Sequence, residues 1–276
     1  MVRVTKPWRV TRLGLDVPAR ERVDVLAGEE PLEIRIGGEP FTVTMRTPGH
    51  DFELVAGFLV GEGVVTEREQ IRTMDYRSGI GADGYRDYNV IDVKLADGVT
   101  PPDTSLERHV YTSSSCGVCG TASIETVQKE SAYPVDSDRL TVELGALLEL
   151  PGRLRQKQKI FAKTGGVHAA GLLLDGELVC IREDVGRHNA VDKVVGWALL
   201  DGRLPLSGTV LQVSSRASFE LVQKSAMAGI PVLSAVSAPS ALAVELAADL
   251  GVTVIGFNRG ATLNVYTRPD RVLVPE

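Results

Sequence analysis

The 276-residue sequence predicts an α/β protein, with a mixed sheet covered by helices on both faces in its C-terminal part and a smaller β-rich region before it. Two patterns carry this. From Val167 onward, short β-branched runs alternate with amphipathic stretches, whereas the first hundred residues are short alternating runs broken by turns. With 43% apolar and 24% charged residues, the composition is that of an ordinary globular chain, and this length buries a large core without a disulfide staple. The stretch Ala96 to Leu106, with Gly98, Pro101 and Pro102, marks the junction, so the expected domains are 1–108 (β-rich) and 109–276 (α/β).

Along the chain, Leu32 to Ile36 and Phe41 to Met45 flank Gly37 and Gly38, the pattern of a hairpin. His50 to Val60 has helical apolar spacing, and Thr66 with Glu69 has the form of a capping box opening another helix. His109 to Thr112 reads as extended and Thr121 to Lys129 as a helix. Thr141 to Lys159 reads as a helical pair broken at Pro151, which suits the first turn of the second, basic member. Asp175-Gly176 joins Ala169 to Leu174 and Glu177 to Arg182 in a hairpin. In Asn189 to Leu200, one stripe holds Ala190, Val191, Val194, Val195, Ala198 and Leu199. Thr209 to Val213, Pro231 to Val236 and Val252 to Gly256 are strands, and Ala217 to Ala228 and Ser240 to Leu250 are helices. Gly229 and Gly251 sit where helix ends need a left-handed residue. These βαβ crossovers imply a mainly parallel sheet.

The formal charge of −6 disfavours nucleic-acid and anionic-membrane binding but leaves room for a local basic pocket around one anionic ligand. Met1 to Leu15 lacks the apolar core of a signal peptide, so export is not expected. The charge-free run Gly229 to Val244 is interrupted by prolines and serines and is too short to span a bilayer. Three cysteines, two of them together, suit a reducing cytoplasm and a chemical or metal role better than a disulfide scaffold.

The run Ser113-Ser114-Ser115-Cys116-Gly117-Val118-Cys119-Gly120 carries the strongest chemical signal. Two thiols three positions apart react with each other or share a metal ion, and a helix start near Cys119 would favour its thiolate, the form that attacks sulfur. Half of a structural zinc site is the bland alternative, with His109 or His168 as possible partners; Cys180, in an apolar strand, reads as a small hydrophobe. A thioredoxin-like oxidoreductase would place its cysteines earlier, after a first strand. His168-Ala169-Ala170 is similar to the His-x-Glu element of zinc nucleobase deaminases, but Ala170 cannot shuttle protons and the cysteines precede the histidine; kinship of fold is expected there, and the activity is not.

Ligands of such sheets gather at the carboxyl ends of the strands. Here those ends read Ser214-Ser215-Arg216, Ser237-Ala238-Pro239-Ser240 and Phe257-Asn258-Arg259-Gly260-Ala261-Thr262, small, polar or cationic residues suited to phosphate. Arg182 to Lys193 reads either as a solvated helix start or as a ligand-facing turn using Asp184 or His188. Lys163 to His168 is either a tight turn or a ligand-approach loop.

Several motifs, in order, resemble those of the FdhD formate dehydrogenase accessory proteins. They are Thr47-Pro48-Gly49-His50-Asp51 through Gly57-Phe58-Leu59, Ser115 to Gly120, Thr164 to His168, Glu183 to Lys193 and Ser214-Ser215-Arg216. The resemblance implies a cytidine-deaminase-like C-terminal fold without deaminase chemistry. It also implies a sulfurtransferase that takes sulfur from a cysteine desulfurase and delivers it to the bis-molybdopterin guanine dinucleotide cofactor of formate dehydrogenase. By that resemblance Cys116 carries the persulfide, Cys119 assists, and Phe257 to Thr262 hold the cofactor; Arg216 or Arg187 would offset its phosphates. A cofactor-binding chaperone with merely structural cysteines is the alternative. A homodimer is expected from family and fold and from apolar stripes on the middle helices.

Overall fold

The computed structural model describes residues 4–77, 79–80, 86–100 and 131–275. The expected domain boundary at 108/109, the extended run at His109, both cysteines of the Cys-x-x-Cys and the helix expected over Thr121 to Lys129 lie outside the described residues.

First among the described elements come two long strands, β1 (Thr5–Gly14) and β2 (Val17–Ala27), which among the described residues pair antiparallel only with each other. No element was expected there, because arginines alternate with single apolar residues and no face is consistently hydrophobic. The expected hairpin follows as β3 (Glu30–Ile36) and β4 (Glu39–Arg46). Leu32, Ile34 and Ile36 bury one face of β3 against α1 (Asp51–Gly61), whose Leu54, Val55 and Leu59 belong to the same core. The helix expected from Thr66 is only a single 3-10 turn, Arg68–Gln70, leading into β5 (Ile71–Tyr76). The Gln70 carboxamide, not Glu69, closes it, its Oε1 accepting from the backbone N–H of Thr66 (2.6 Å) and Glu67 (3.0 Å). Burial of Ile71 in the core then commits the chain to a strand. After the small ribbon β6 (Gly79–Ile80) and β7 (Arg86–Asp87), β8 (Val90–Leu95) completes a four-stranded sheet of order β4-β3-β8-β5.

In the second half come β9 (Val142–Glu143), α2 (Leu144–Lys157), α3 (Lys159–Thr164), β10 (His168–Leu174), β11 (Glu177–Asp184) and α4 (Arg187–Leu200). They are followed by β12 (Thr209–Val213), α5 (Phe219–Met227), β13 (Val232–Ala235), α6 (Ala241–Leu250), β14 (Thr253–Arg259), β15 (Thr262–Val265) and β16 (Val272–Leu273), the last paired with β9. The main sheet has the order β11-β10-β12-β13-β14-β15. Strand residues alternate between two cores: Leu211, Val213, Leu233 and Val254 meet the cluster of α1, α4, α5 and α6, while Val210, Val232 and Ile255 meet Leu147 and Leu150 of α2. Helices therefore cover both faces, as the α/β prediction requires. The sheet is mixed, not mainly parallel, since only β12–β13 and β13–β14 are parallel and hairpins supply β11 and β15. Gly229 and Gly251 take the left-handed conformation expected of them (φ 74° and 73°).

One further expectation is corrected. Pro151 lies inside one continuous helix, and the break falls at Gln158, the residue between α2 and α3. Proline removes the N–H that Leu147 C=O would accept four residues on. That carbonyl instead accepts from the Asn258 side-chain amide at 2.8 Å, which is why the helix survives. The apolar stripe expected over Asn189 to Leu200 is buried in α4 against α1 and the sheet, as a helix lying on a sheet requires.

α1 and α4 cross in backbone contact. A Cβ on Gly57 would run into the Asp192 carbonyl and lie 2.7 Å from Gly196 N; one on Gly196 would run into the Glu53 carbonyl and lie 2.6 Å from Gly57 N. The seam is tied beside this crossing. The Arg182 guanidinium grips both oxygens of Glu53, with Nη2 to Oε1 at 2.7 Å, and Lys224 Nζ reaches Asp192 at 2.6 Å. Burial raises the Glu53 carboxyl, but the Arg182 and His50 hydrogen bonds outweigh it and bring it down to about 2.

Gly57→Ala and Gly196→Ala are each expected to cost at least about 3 kcal/mol, since backbone must move, whereas Gly152→Ala, in the open on α2, should be neutral or gain up to about 1 kcal/mol. Urea midpoints of the three variants check this. Because its folded pKa is depressed, Glu53 stabilises the fold above its ordinary 4.5 and loses that contribution as pH falls toward about 2. Glu53→Gln should therefore cost about 2 kcal/mol at neutral pH, and the gap from the parent protein should close on acidification through that window, read by denaturation at each pH.

Candidate functional site

The carboxyl ends of β12, β13 and β14 lie side by side, and backbone hydrogen bonds lace the segments that leave them. Val236 N–H donates to Val213 C=O (3.2 Å), Ser237 N–H to Ser215 C=O (3.3 Å), Ala217 N–H to Ala238 C=O (3.2 Å) and Phe257 N–H to Ser237 C=O (3.2 Å). Ser214-Ser215-Arg216 and Phe257 to Thr262, far apart in sequence, thus share one rim, with Ser237 as the bridge between them. The room is tight: a Cβ on Gly256 would sit 2.8 Å from Pro239 Cδ and 2.9 Å from Tyr266.

Individual side chains divide into those facing out and those serving the frame. Arg216 is exposed. Phe257 to Thr262 is not a simple loop: β14 runs on to Arg259, Gly260 and Ala261 turn the chain, and Thr262 pairs back opposite Arg259. Arg259, Gly260, Ala261 and Thr262 are exposed at this tip, with the Arg259 guanidinium 5.4 Å from the centre of the half-buried Phe257 ring. Asn258 points the other way. Fully buried, its amide donates to Leu147 C=O (2.8 Å) and Ser234 Oγ (2.9 Å), with Gln212 Oε1 at 3.3 Å. Ser215 donates to its neighbour's carbonyl at Arg216 (3.0 Å).

Two imidazoles border the rim. The Ser214 hydroxyl accepts from Ala169 N–H (2.9 Å) and lies 3.4 Å from His168 Nδ1. Burial first, then the nearby Arg187 charge, pushes the His168 pKa down, favouring the neutral ring. His188 Nε2 lies 3.3 Å from both Glu220 Oε2 and Ser218 Oγ. Burial raises Glu220, yet the His188 hydrogen bond and charge carry it to about 2. The α4 start therefore presents His188, while Asp184 is no ligand-facing group. It is buried and accepts from Lys193 Nζ (2.7 Å), Thr47 N–H (3.0 Å), Gly186 N–H (2.9 Å) and Asn189 Nδ2 (3.1 Å). Burial still pulls its carboxyl above the ordinary range. The stretch Lys163 to His168 resolves as the end of α3, with Gly165 as its left-handed cap.

Chemically, the rim offers two exposed guanidiniums, hydroxyls and a neutral imidazole, a set that suits an anionic, phosphate-bearing ligand. Cys180 is buried in β11 and its thiol is pushed up to about 12, so it serves as packing and not as a nucleophile. Among the described residues no group of three or more His, Cys, Asp or Glu is placed to hold a metal ion. No helix among them is long and apolar enough to cross a membrane. The sequence reading places Ser237 at this rim with the other strand ends but does not join His168 to it, since only the antiparallel pairing of β10 with β12 brings His168 beside Ser214.

Fold and rim define a mixed α/β protein with an anion-suited site at the carboxyl edge of its sheet. The chain belongs to the FdhD/NarQ family, whose model matches residues 27–273. It is 56% identical over 274 residues to the sulfur carrier protein FdhD of Streptomyces coelicolor, covering 99% of this chain and 97% of that one. To the Mycobacterium tuberculosis protein of the same name it is 57% identical over 268 residues, covering 96% and 97%. The fold matches a solved structure from Desulfotalea psychrophila, described as a formate dehydrogenase accessory protein, with a TM-score of 0.74 at 24% identity over 98% of this chain and all of that one.

Asn258→Ala is expected to cost about 2–3 kcal/mol by leaving the Leu147 carbonyl and the Ser234 hydroxyl unpaired in the interior. Thermal unfolding should report it, with Ala261→Ser at the exposed tip unchanged within about 0.5 kcal/mol.

Proposed function

We propose that this chain is a sulfur carrier serving formate dehydrogenase. It receives sulfur on Cys116 from a cysteine desulfurase and hands it to the bis-molybdopterin guanine dinucleotide cofactor held at the rim. The observation that carries the reading is the near-full-length identity to relatives named as sulfur carriers. The rim supports it, because a ligand with several phosphates is matched by Arg216 and Arg259 in a protein that is acidic overall.

In the first step the Cys116 thiolate attacks the outer sulfur of the desulfurase persulfide. The old S–S bond breaks, the desulfurase leaves as thiolate, and a Cys116 persulfide forms with no net redox change. In the second, Cys119 thiolate attacks Cys116 Sγ, releasing hydrosulfide toward the cofactor and leaving a Cys116–Cys119 disulfide that an external dithiol resets. Phe257, Gly260 and Thr262 line the cofactor side with Arg259, and Ser214 and Ser215 set the opposite wall, while Asn258 keeps the strand end in place. Kinship of the main sheet with cytidine deaminases, a cytoplasmic setting and a homodimeric state belong to the same reading.

Loading by a cysteine desulfurase with radiolabelled cysteine tests it. Cys116→Ala should retain no cyanide-labile sulfur and fail to activate formate dehydrogenase. Arg216→Ala and Arg259→Ala should load sulfur normally but bind the cofactor about tenfold more weakly each. Full activation by the Cys116→Ala protein would end the proposal.

A further inference from the structure

Among the described residues the β1–β2 ribbon joins no other sheet and has little body to lie on. Its strands of ten and eleven residues pair only with each other, and both faces are exposed over most of their length, with Trp8 53% and Val23 68% exposed. A two-stranded ribbon alone in water is marginal at best. The ladder runs on to its base through Gly28 N–H to Val4 C=O (2.8 Å), and there the ribbon meets the body, where Ala27 approaches Gly166 just past α3.

The cross-strand register sorts its charges. Lys6↔Leu26, Trp8↔Asp24, Val10↔Arg22 and Arg12↔Arg20 share one face, so four cations and one carboxylate surround an exposed indole. Arg12 directly opposite Arg20 is a like-charge pair, unfavourable unless carboxylates arrive from elsewhere. From Gly28 to the end, the chain carries 24 basic and 33 acidic residues, a net −9 that is the complement of this face.

We infer that the ribbon is a dimerisation arm whose basic, Trp8-bearing face lies on the acidic body of a second copy of the chain, each copy embracing the other about a two-fold axis. Size supports this. At about 3.4 Å per residue and about 10 Å of face width, one arm offers roughly 300 Å². Two reciprocal arms with the surfaces they cover then bury on the order of 1,200 Å², enough for a specific interface. The family model begins at residue 27, where the arm ends, and the rim residues lie well inside it. The inference rests on the dimeric state proposed above, and the two fail separately.

Sedimentation equilibrium of the full chain tests both. The parent protein should be dimeric and dissociate on dilution, with the dissociation constant raised at least about tenfold by Arg12→Glu with Arg20→Glu, by Trp8→Ala with Leu26→Ala on the same face, and by about 0.5 M salt. In a Trp197→Phe background, Trp8 emission should shift to the blue on dimerisation, and every variant should still take sulfur on Cys116. A parent chain that stays monomeric overturns dimer and arm together. A dimer indifferent to the arm substitutions overturns the arm alone, as does an arm whose substitutions weaken binding to anionic vesicles or to formate dehydrogenase while the dimer persists.

Discussion

The contact of α1 with α4 through Gly57 and Gly196 is the constraint on which the arrangement rests. Neither residue has a side chain to give way, so the two backbones fix the spacing between the helix of the small sheet and the helix over the large one. Every other link across that seam depends on this spacing. The Arg182–Glu53 fork, the Lys224–Asp192 pair and the donors converging on Asp184 are all short, directional contacts between groups on different elements. Charges this deeply buried stabilise only when well paired, and they punish misalignment heavily, so they act as a register as much as a glue. The two sheets are consequently framed as one packed unit, with a single core cluster running from Leu32 and Ile91 to Leu233 and Val254.

That register places the rim. α4 begins at Arg187 and His188 because Asp184, the last residue of β11, is held by Asn189 in the first turn of the helix, by Lys193 in the second and by Thr47 from beyond β4. The imidazole of His188 is then braced by Glu220 at the start of α5. On the far side, Asn258 performs two tasks from one amide, satisfying the carbonyl that Pro151 leaves open in α2 and clamping the end of β14 to Ser234 of β13. The proline and the asparagine, 107 residues apart, answer one another across the sheet. With the frame supplied from inside, Arg216 and Arg259 are free to face outward.

Much of this was legible in the sequence where hydrophobic period and turn residues agree. The β3–β4 and β10–β11 hairpins, α1, α4, and the strands and helices from Thr209 to Leu250 fall within a residue or two of expectation. Failures occur where a long-range partner overrides a local signal. Pro151 reads as a helix breaker until Asn258 is seen to replace its missing hydrogen bond, and Thr66 reads as a cap until Gln70 is seen to close the turn. The split of Asp184 from His188, one buried in the frame and one on the rim, is invisible in a run of mixed charges. The choice depends on which residue meets Thr47, and no local pattern encodes that meeting.

Charge distribution joins the parts. For the polyanionic ligand proposed for this acidic protein, cations placed locally serve better than a general positive field, which would attract every polyanion in its surroundings. Here the outward guanidiniums of Arg216 and Arg259 stand at the rim, and a planar guanidinium suits bidentate contact with phosphate better than the ammonium of a lysine does. The N-terminal ribbon concentrates further cations on a surface well separated in sequence from the rim. On the proposed reading the net negative charge of the rest of the chain serves both purposes: it disfavours non-specific polyanions, and it offers the ribbon of a second copy a surface of opposite sign.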